Sequence, residues 1–336
     1  MPEQTTIEPG APEGPTDLKR RSWWSVLKRM AAELLGDRIT DWAAALTYYS
    51  VLSIFPALLV LTALLGLLGP EPTRSLIDTV KQIGPGSGTD LLVSAITELQ
   101  DAKPLAGPLA LIGVLVALWT ASGYIGAFIR AANDIYEVRE GRPLWKLLPM
   151  RFGLTVLLML LLAAVLVGVV LTGALADRVG EWLGMGETAV RVWGFVKWPT
   201  LALLVSLAFA LLYWAAPNAR QPGFRWLSPG SVLAVLVWLA ASAGFTVYAT
   251  NFGSYNKTYG SLAGVVVFLV WLWLTNIAVL LGAAFDAELA RARGIERGLP
   301  PDHEPFLPHR DPPGDEDDPP AENPDGATTP ALGRNR

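Results

Sequence analysis

Six long apolar stretches separated by shorter polar connections dominate the pattern of residues along this chain. They cover approximately residues 43–69, 105–129, 152–175, 193–216, 230–250 and 261–289. Each is long enough to cross a hydrocarbon layer of about 30 Å, which takes roughly 20 helical residues. A helix satisfies its own backbone hydrogen bonds in lipid, and the alternating pattern of barrel strands is absent. The pattern therefore predicts an all-α, polytopic membrane helix bundle with six transmembrane helices.

The positive charges predict on which side of the membrane each connection lies. Lys and Arg cluster before the first span, after the last span, and in the second and fourth loops. The other three loops hold only three, two and one of them. Because positive residues resist translocation, the basic loops and both termini are expected in the cytoplasm. No short apolar stretch with a small-residue cleavage site precedes the first span, so no cleavable signal peptide is expected.

Two further helical features are predicted outside the spans. Residues 22–41 carry apolar side chains on one face and positive charges near the headgroups, which predicts an N-terminal interfacial amphipathic helix. The first external loop, 70–104, shows helical spacing at 75–83 and 89–99 around a glycine-rich break. It predicts an external helical hairpin. Such a hairpin either covers the spans or contacts an envelope partner, and the sequence favours neither.

Both ends of the chain are predicted to be disordered tails. Residues 1–21 are rich in Pro, Glu and Gly, and residues 296–336 are acidic and rich in Pro. Low hydrophobicity and a run of acids cannot offset the entropy lost on ordering. A solvated, dispensable C-terminal tail is favoured over a partner-binding one.

The residues that the chain lacks exclude several kinds of site. Cysteine is absent, and the two histidines, His303 and His309, both fall in the predicted C-terminal tail. Disulfides, thiol nucleophiles and a His-rich zinc site in the membrane region are therefore not expected. No Gly-rich Walker loop is present either, so the chain is not expected to use ATP itself. A membrane enzyme is the weakest hypothesis because no nucleophile–base pair or metal cluster is visible, so no cofactor and no enzymatic activity are expected.

Polar residues in the first span form one group of candidate functional positions. Tyr49, Ser53 and Pro56 share a helix face, and Pro56 frees a backbone carbonyl that hydroxyls or water must satisfy. Such a stripe either packs helix against helix or lines a wet cavity, with packing the commoner cause.

Charged residues follow the second span. Arg130, Asn133, Asp134 and Glu137 lie at i, i+3, i+4 and i+7, which places them on one helical face. Arg130 and Asp134 can pair within the helix. The strip as a whole either meets a polar loop or a headgroup or is a solvated helix end.

The remaining candidates lie in or beside the last three spans. Lys197 either snorkels or attracts an anionic lipid or substrate, and Asn276 needs a polar partner near mid-membrane. Tyr255 and Tyr259 belong to a glycine-rich external link that is either a gating turn or an ordinary loop. Two acids at the end of the last span are expected to pair with Arg291 or Arg293; they are Asp286 and Glu288.

Five motifs, in this order, carry a resemblance to a known family. They are AAALTYYSVLSIFP (43–56), RAANDIY (130–136), YWAAPN (213–218), YNKTYGSLA (255–263) and GAAFDAEL (282–289). The chain resembles the YihY/BrkB family of bacterial inner-membrane proteins, once described as ribonuclease BN. Ala284 departs from the family pattern, which commonly has an acid there. The resemblance implies a multi-pass protein of the bacterial plasma membrane with no settled activity and links to the cell envelope. A zinc nuclease would need clustered histidines, so ribonuclease activity is not expected.

Two functional hypotheses of different classes follow. The first is a transporter or flippase for an envelope lipid or other amphiphile. Its path would be lined by Tyr49, Ser53 and Asn276, and Arg130 and Lys197 would meet anionic groups at opposite faces. The second is a non-transporting scaffold for envelope biogenesis. Membrane lipids are the predicted partners, with an envelope protein as a further one, and no nucleic acid is expected.

Overall fold

The structure is a computed structural model, and it describes residues 20–35, 37–67, 108–170, 187–221, 227–251 and 261–313, together with seven isolated residues (Arg74, Ile77, Asp78, Val93, Ser94, Thr97 and Phe224). The elements in these ranges are seven long α-helices. Their bounds are α1 Arg20–Leu35, α2 Asp37–Leu67, α3 Pro108–Ile135, α4 Leu144–Val170, α5 Glu187–Ala215, α6 Pro229–Asn251 and α7 Ser261–Glu296.

Four of these helices contain segments that are long and apolar enough to cross a membrane. The segments are Leu144–Val169, Val192–Ala215, Pro229–Tyr248 and Gly264–Glu296. Helices α2 and α3 cover the first two predicted spans over 31 and 28 residues, with part of their side chains outside the described set. The all-α membrane bundle is confirmed. The number of six crossings stays a prediction.

The helices that contain the predicted spans form a closed ring. Each of α2 to α7 packs against the next helix in the chain, and α7 closes the ring by packing against α2. Successive helices alternate in direction, so one end of the bundle holds the starts of α2, α4 and α6 and the ends of α3, α5 and α7. We call it the basic end. Helix α1 lies there against α7 and α2, where Val26 is fully buried and Trp24 is exposed.

Small residues let the helices of the ring approach closely. The core shared by α2, α3 and α7 is rich in buried alanines: Ala43, Ala127, Ala131, Ala283 and Ala284. Where α6 crosses α7, a Cβ on Gly282 would come within 2.6 Å of the carbonyl oxygen of Gly230. Association in lipid depends on such close backbone packing because water provides no driving force between helices.

The predicted disordered C-terminal tail is wrong for residues 296–313. Helix α7 continues to Glu296, and the chain then folds back over the basic end. Phe306 is buried there against Tyr136, with ring centroids 6.0 Å apart. The Pro-rich composition suggested disorder, but one aromatic anchor and backbone hydrogen bonds to two loops hold this segment in place. Residues 314–336 lie outside the described set.

Several other predictions concern residues outside the described set. They include the N-terminal tail before Arg20, nearly all of the external hairpin 70–104, and the link 252–260 with Tyr255 and Tyr259. These stay predictions. The helix predicted at 22–41 is confirmed as α1 and the start of α2, while its position on a membrane surface remains an expectation.

Candidate functional site in the bundle and at its basic end

A hydrogen-bonded group of side chains joins α2, α3 and α7 inside the bundle. Asn276 is 2% exposed, and its Oδ1 accepts a hydrogen bond from the Tyr124 hydroxyl at 3.0 Å. Its Nδ2 donates to the hydroxyl oxygens of Thr47, at 3.2 Å, and Ser50, at 3.4 Å. We call these four residues the polar junction. The predicted need of Asn276 for a partner is met from two neighbouring helices.

The other candidates of the first span lie outside the polar junction. The ring of Tyr49 lies beside Gly123 of α3, where an added Cβ would sit 3.1 Å from a Tyr49 ring carbon. The Ser53 hydroxyl donates to the Tyr49 carbonyl at 2.7 Å, within the helix. Helix α2 runs through Pro56, whose side chain lies outside the described set. The predicted path residues are therefore divided between the α3 side of α2 and the polar junction.

An arginine of α4 reaches across to the same face of α3. Arg151 donates from Nε to the Ser122 carbonyl at 2.7 Å and from Nη2 to the Ser122 hydroxyl at 2.8 Å. Gly126 leaves the room for it, since an added Cβ there would lie 3.0 Å from the guanidinium carbon. We call Ser122, Gly126 and Arg151 the arginine cradle.

Asn133 and Asn218 tie the loops of the basic end together. The backbone N–H of Asn218 donates to Asn133 Oδ1 at 2.7 Å, and Asn133 Nδ2 donates to Glu140 at 2.9 Å. Both asparagines are buried, so Asn133 belongs to the interior and not to a solvated helix face. The C-terminus of α3, its following loop and the loop after α5 are thereby fixed to one another.

An ion pair between the buried Arg142 and the more exposed Glu140 completes the end of α5. Arg142 donates from Nε and Nη2 to the two carboxylate oxygens of Glu140, at 2.7 and 2.6 Å. It also donates to the Ala216 carbonyl at 2.8 Å, where the helix has run out of backbone donors. Burial acts to raise the pKa of Glu140, but the hydrogen bonds and charge of Arg142 outweigh it, so this pKa lies below its usual value.

Residues 306–313, which we call the strap, pass over these loops. The Asn218 side chain behaves toward the strap like a backbone unit: Nδ2 donates to the Asp311 carbonyl at 2.7 Å and Oδ1 accepts from its N–H at 3.0 Å. The N–H of Arg310 donates to the Asn218 carbonyl at 2.7 Å, and Lys146 pairs with the Asp311 carboxylate at 2.6 Å. A Cβ on Gly141 would overlap the strap backbone.

Two of the predicted charge pairs have other partners in the structure. Asp134 was named as able to pair with Arg130, but it accepts a hydrogen bond from Trp42 Nε1 at 3.0 Å and lies 3.6 Å from Arg38. Asp286 was expected to pair with an arginine, but its hydrogen bond comes from the Gly230 N–H at 2.7 Å. These bonds join α2 and α3 in one case and α6 and α7 in the other.

The prediction for Glu288 is confirmed in part. Glu288 lies 3.7 Å from Arg291 and also forms an ion pair with Arg29 of α1. Arg291 pairs in turn with Glu137 at 2.5 Å. Burial raises the pKa of Glu137, against the opposing charge of Arg291. These ion pairs join the N-terminal helix, the end of α3 and the end of α7.

Comparison with known proteins adds the family. The model of the virulence factor BrkB family matches residues 30–305. The chain belongs to the BrkB family. It is therefore an integral membrane protein of a bacterial family, and the resemblance carried by the five motifs is confirmed. No solved structure matches the chain.

Three BrkB-like relatives show how far the similarity extends. The chain is 29% identical over 264 residues to YfkH of Bacillus subtilis, a protein named as ribonuclease-like, covering 79% of this chain and 93% of that protein. It is 31% identical over 290 residues to a UPF0761 membrane protein of Chromohalobacter salexigens, covering 82% and 67%. It is 30% identical over 268 residues to a UPF0761 membrane protein of Alkalilimnicola ehrlichii, covering 74% of this chain but only 54% of that protein.

Two candidates of this BrkB-family chain form no hydrogen bond within these groups. Lys197 is 9% exposed, with its ammonium 5.1 Å from the centre of the Trp198 ring. Arg130 is exposed at the basic end of α3. In the described part of the chain, no group of three His, Cys, Asp or Glu side chains could hold a metal ion.

Sequence reasoning missed the residues that organise the basic end of this BrkB-family bundle. Glu140, Arg142 and the strap carried no periodic signal, because they lie in irregular loops. Asn218 stood within a family motif, which marked its position but not its role. The arginine cradle did leave a trace: Ser122, Gly126 and Arg130 recur every four residues on one face of α3.

Proposed function

We propose that this protein moves an envelope lipid or a similar amphiphile across the bacterial plasma membrane. The observation that carries the proposal is the polar junction, in which Thr47, Ser50, Tyr124 and Asn276 meet within helices of a membrane bundle. Polar side chains in that environment are costly and tend to mark substrate paths. The ring gives them a protein-lined seam between α2, α3 and α7, where a headgroup could exchange hydrogen bonds without meeting acyl chains.

The same proposal places the basic end in the cytoplasm, with both termini there. The support is the charge distribution along the chain together with the arrangement of the loops. The basic loops, α1 and the strap lie together at one end of the ring, as the positive-inside rule requires of a single cytoplasmic surface. Anionic lipids of the inner leaflet would meet Arg130 at this surface.

A scaffold without transport remains the second candidate, and one observation favours it. Helix–loop, loop–strap and loop–loop bonds lock the basic end through Asn133, Asn218 and Arg142. Such a network suits a fixed platform whose loops are held in one arrangement. The two functions differ in whether lipid crosses the bilayer.

Reconstitution into vesicles with a fluorescent phosphatidylglycerol in both leaflets separates the two. A membrane-impermeant quencher should reach all of the label when wild-type protein is present, but only the outer leaflet in protein-free vesicles. Asn276→Leu should slow this exchange, because it removes three hydrogen bonds of the seam. Thr246→Ala is the matched control, since its bond to Ser242 lies within the exposed face of α6.

The outcome decides between the candidates. Wild-type vesicles indistinguishable from protein-free ones, across anionic and zwitterionic labelled lipids, would rule out lipid movement. If folded Asn276→Leu protein moves lipid at the wild-type rate, the polar junction does not line the path.

A further inference from the structure

Arg151 is a cation one residue before the predicted span 152–175, and none of the described carboxylates pairs with it. It belongs to the membrane-crossing segment Leu144–Val169, and its guanidinium lies between Ser122 and Gly126 of α3. Ser122 is seven residues before the predicted end of its own span at residue 129, which is about 10 Å of helix. An ionisable residue at such a position is a functional candidate by default.

The neighbours of this guanidinium do not neutralise its charge. Its bonds go to the carbonyl and hydroxyl oxygens of Ser122, and none of the described carboxylates forms an ion pair with it. Another cation, Arg130, acts on it electrostatically and adds to the positive charge at this place. The described residues provide no acceptor for Nη1, and Arg151 is only half-buried. The site is therefore electropositive, and its guanidinium has hydrogen-bond donors that no described residue uses.

The surroundings are shaped for a group that enters from the lipid. Trp119 is 60% exposed, and its ring lies 6.0 Å from the Arg151 guanidinium carbon and 5.7 Å from the ring of Phe152. These rings offer an apolar wall for acyl chains below the charged group. Arg130 continues the positive face toward the basic end, one helical turn beyond Gly126.

We propose that the arginine cradle, with Arg130 beside it, binds the phosphate of an anionic lipid headgroup. A planar guanidinium matches two phosphate oxygens at once, and Ser122 already holds it in one orientation through Nε and Nη2. The bound phosphate supplies the negative charge that the protein itself does not place there. This inference rests on the proposed function for its purpose, because it names an anionic phospholipid as the class of amphiphile that is moved.

The test measures binding, apart from movement. Full-length protein is equilibrated in nanodiscs of phosphatidylcholine with a minor fraction of phosphatidylglycerol, and the lipids that it retains are counted by native mass spectrometry. Arg151→Gln removes the charge. Gly126→Ala keeps the charge but pushes the guanidinium out of place, and Gly153→Ala is its matched control, because a Cβ there meets nothing within 4 Å.

Wild type and Gly153→Ala should retain phosphatidylglycerol in preference to phosphatidylcholine. Arg151→Gln and Gly126→Ala should bind it about tenfold more weakly, the effect expected for losing a charge-assisted hydrogen bond. Thermal unfolding of each variant shows that it is folded. If folded Gly126→Ala and Arg151→Gln both keep the wild-type preference, the proposed site is wrong. If inorganic phosphate displaces the lipid at equal concentration, the ligand is free phosphate and the lipid assignment fails.

Failure of the proposed lipid-binding site and failure of the proposed function give different experimental results. If the variants lose phosphatidylglycerol binding and wild type moves no lipid, the proposed site is supported and transport is rejected. If wild type moves lipid and the variants bind phosphatidylglycerol fully, transport is supported and the proposed site is rejected.

Discussion

The backbone N–H of Asn218 donates to the Asn133 side chain at 2.7 Å, although the two residues are 85 positions apart in the chain. This bond fixes the loop after α5 to the last turns of α3. The Asn218 side chain is thereby positioned to hold the strap from the other side. A single buried asparagine thus connects three segments that have no contact along the sequence.

Replacing Asn218 with Ala should release the strap. The N–H and carbonyl of Asp311 and the carbonyl of Arg139 lose their partner, and each group left unsatisfied costs about 1–3 kcal/mol. We expect lower thermal stability in detergent and faster hydrogen exchange at the Arg310 and Asp311 amides. Unchanged exchange at these amides would show that the strap is held by other contacts.

Truncation should locate the stabilising part of the C-terminal segment. A chain ending at Pro300 loses the Phe306 side chain, which stacks on Tyr136 and lies 5.0 Å from the Arg291 guanidinium. Removing a buried Phe costs about 3–5 kcal/mol, so this chain should unfold at a lower temperature. A chain ending at Pro313 keeps every strap contact described above and is the control. Equal melting temperatures for the two chains would contradict the role given to the strap.

Acid should weaken the basic end through Glu140. Its folded-state pKa lies below the usual 4.5, so its ion pair with Arg142 stabilises the fold above pH 4.5. That stability is lost as the pH falls below 4.5 through the lower folded pKa. Glu140→Gln should lower stability at neutral pH by about 2 kcal/mol and reduce the acid sensitivity of unfolding.

The contribution of Glu137 to the pH dependence of stability has the opposite sign to that of Glu140, so Glu137 serves as the comparison. Its folded-state pKa is raised above 4.5, chiefly by burial, so the folded protein binds a proton more readily than the unfolded chain. Between 4.5 and the raised value, acidification stabilises wild type relative to Glu137→Gln. Parallel pH dependence in the two variants would contradict these assignments. Stability is measured by chemical unfolding at a series of pH values.

Two glycines on neighbouring helices should respond in opposite directions to the same change. Gly282→Ala places a methyl group 2.6 Å from the Gly230 carbonyl oxygen and 2.8 Å from Ala234 Cβ, so α6 and α7 must separate at a cost of about 1–3 kcal/mol. Gly244→Ala meets nothing within 4 Å and should stabilise α6 by about 0.5–1 kcal/mol. Melting temperatures that shift in the same direction would show that the crossing is looser than described.

The helices were predictable because their signal is local. An apolar run of about 20 residues has few structural options in lipid, so the bounds of α4 to α7 follow the hydropathy. The partners of polar residues were not predictable, because packing between distant segments selects them. Asn276 was expected to need a partner, yet Tyr124 is 152 residues away and nothing in its own span marks it. Asp286 was assigned an arginine partner because arginines are near in sequence, whereas the Gly230 N–H is near in space.

The prediction of a disordered C-terminal tail was wrong at the strap for a related reason. Composition describes the average behaviour of a segment, and residues 296–336 are polar and rich in Pro as a whole. Phe306 and the backbone of Arg310 and Asp311 find partners only on a surface that forms when α3, α5 and α7 meet. The arginine cradle combines both cases: the spacing on α3 was visible, but Arg151 precedes the predicted span 152–175 and was not among the candidate residues.

A density map of the protein in nanodiscs containing phosphatidylglycerol tests the account most directly. We predict headgroup density within hydrogen-bond distance of the Arg151 guanidinium, with the acyl chains running along Trp119 and Phe152. A well-ordered map that shows Arg151 and Ser122 clearly, with an acyl chain or no lipid where the phosphate should lie, would contradict it.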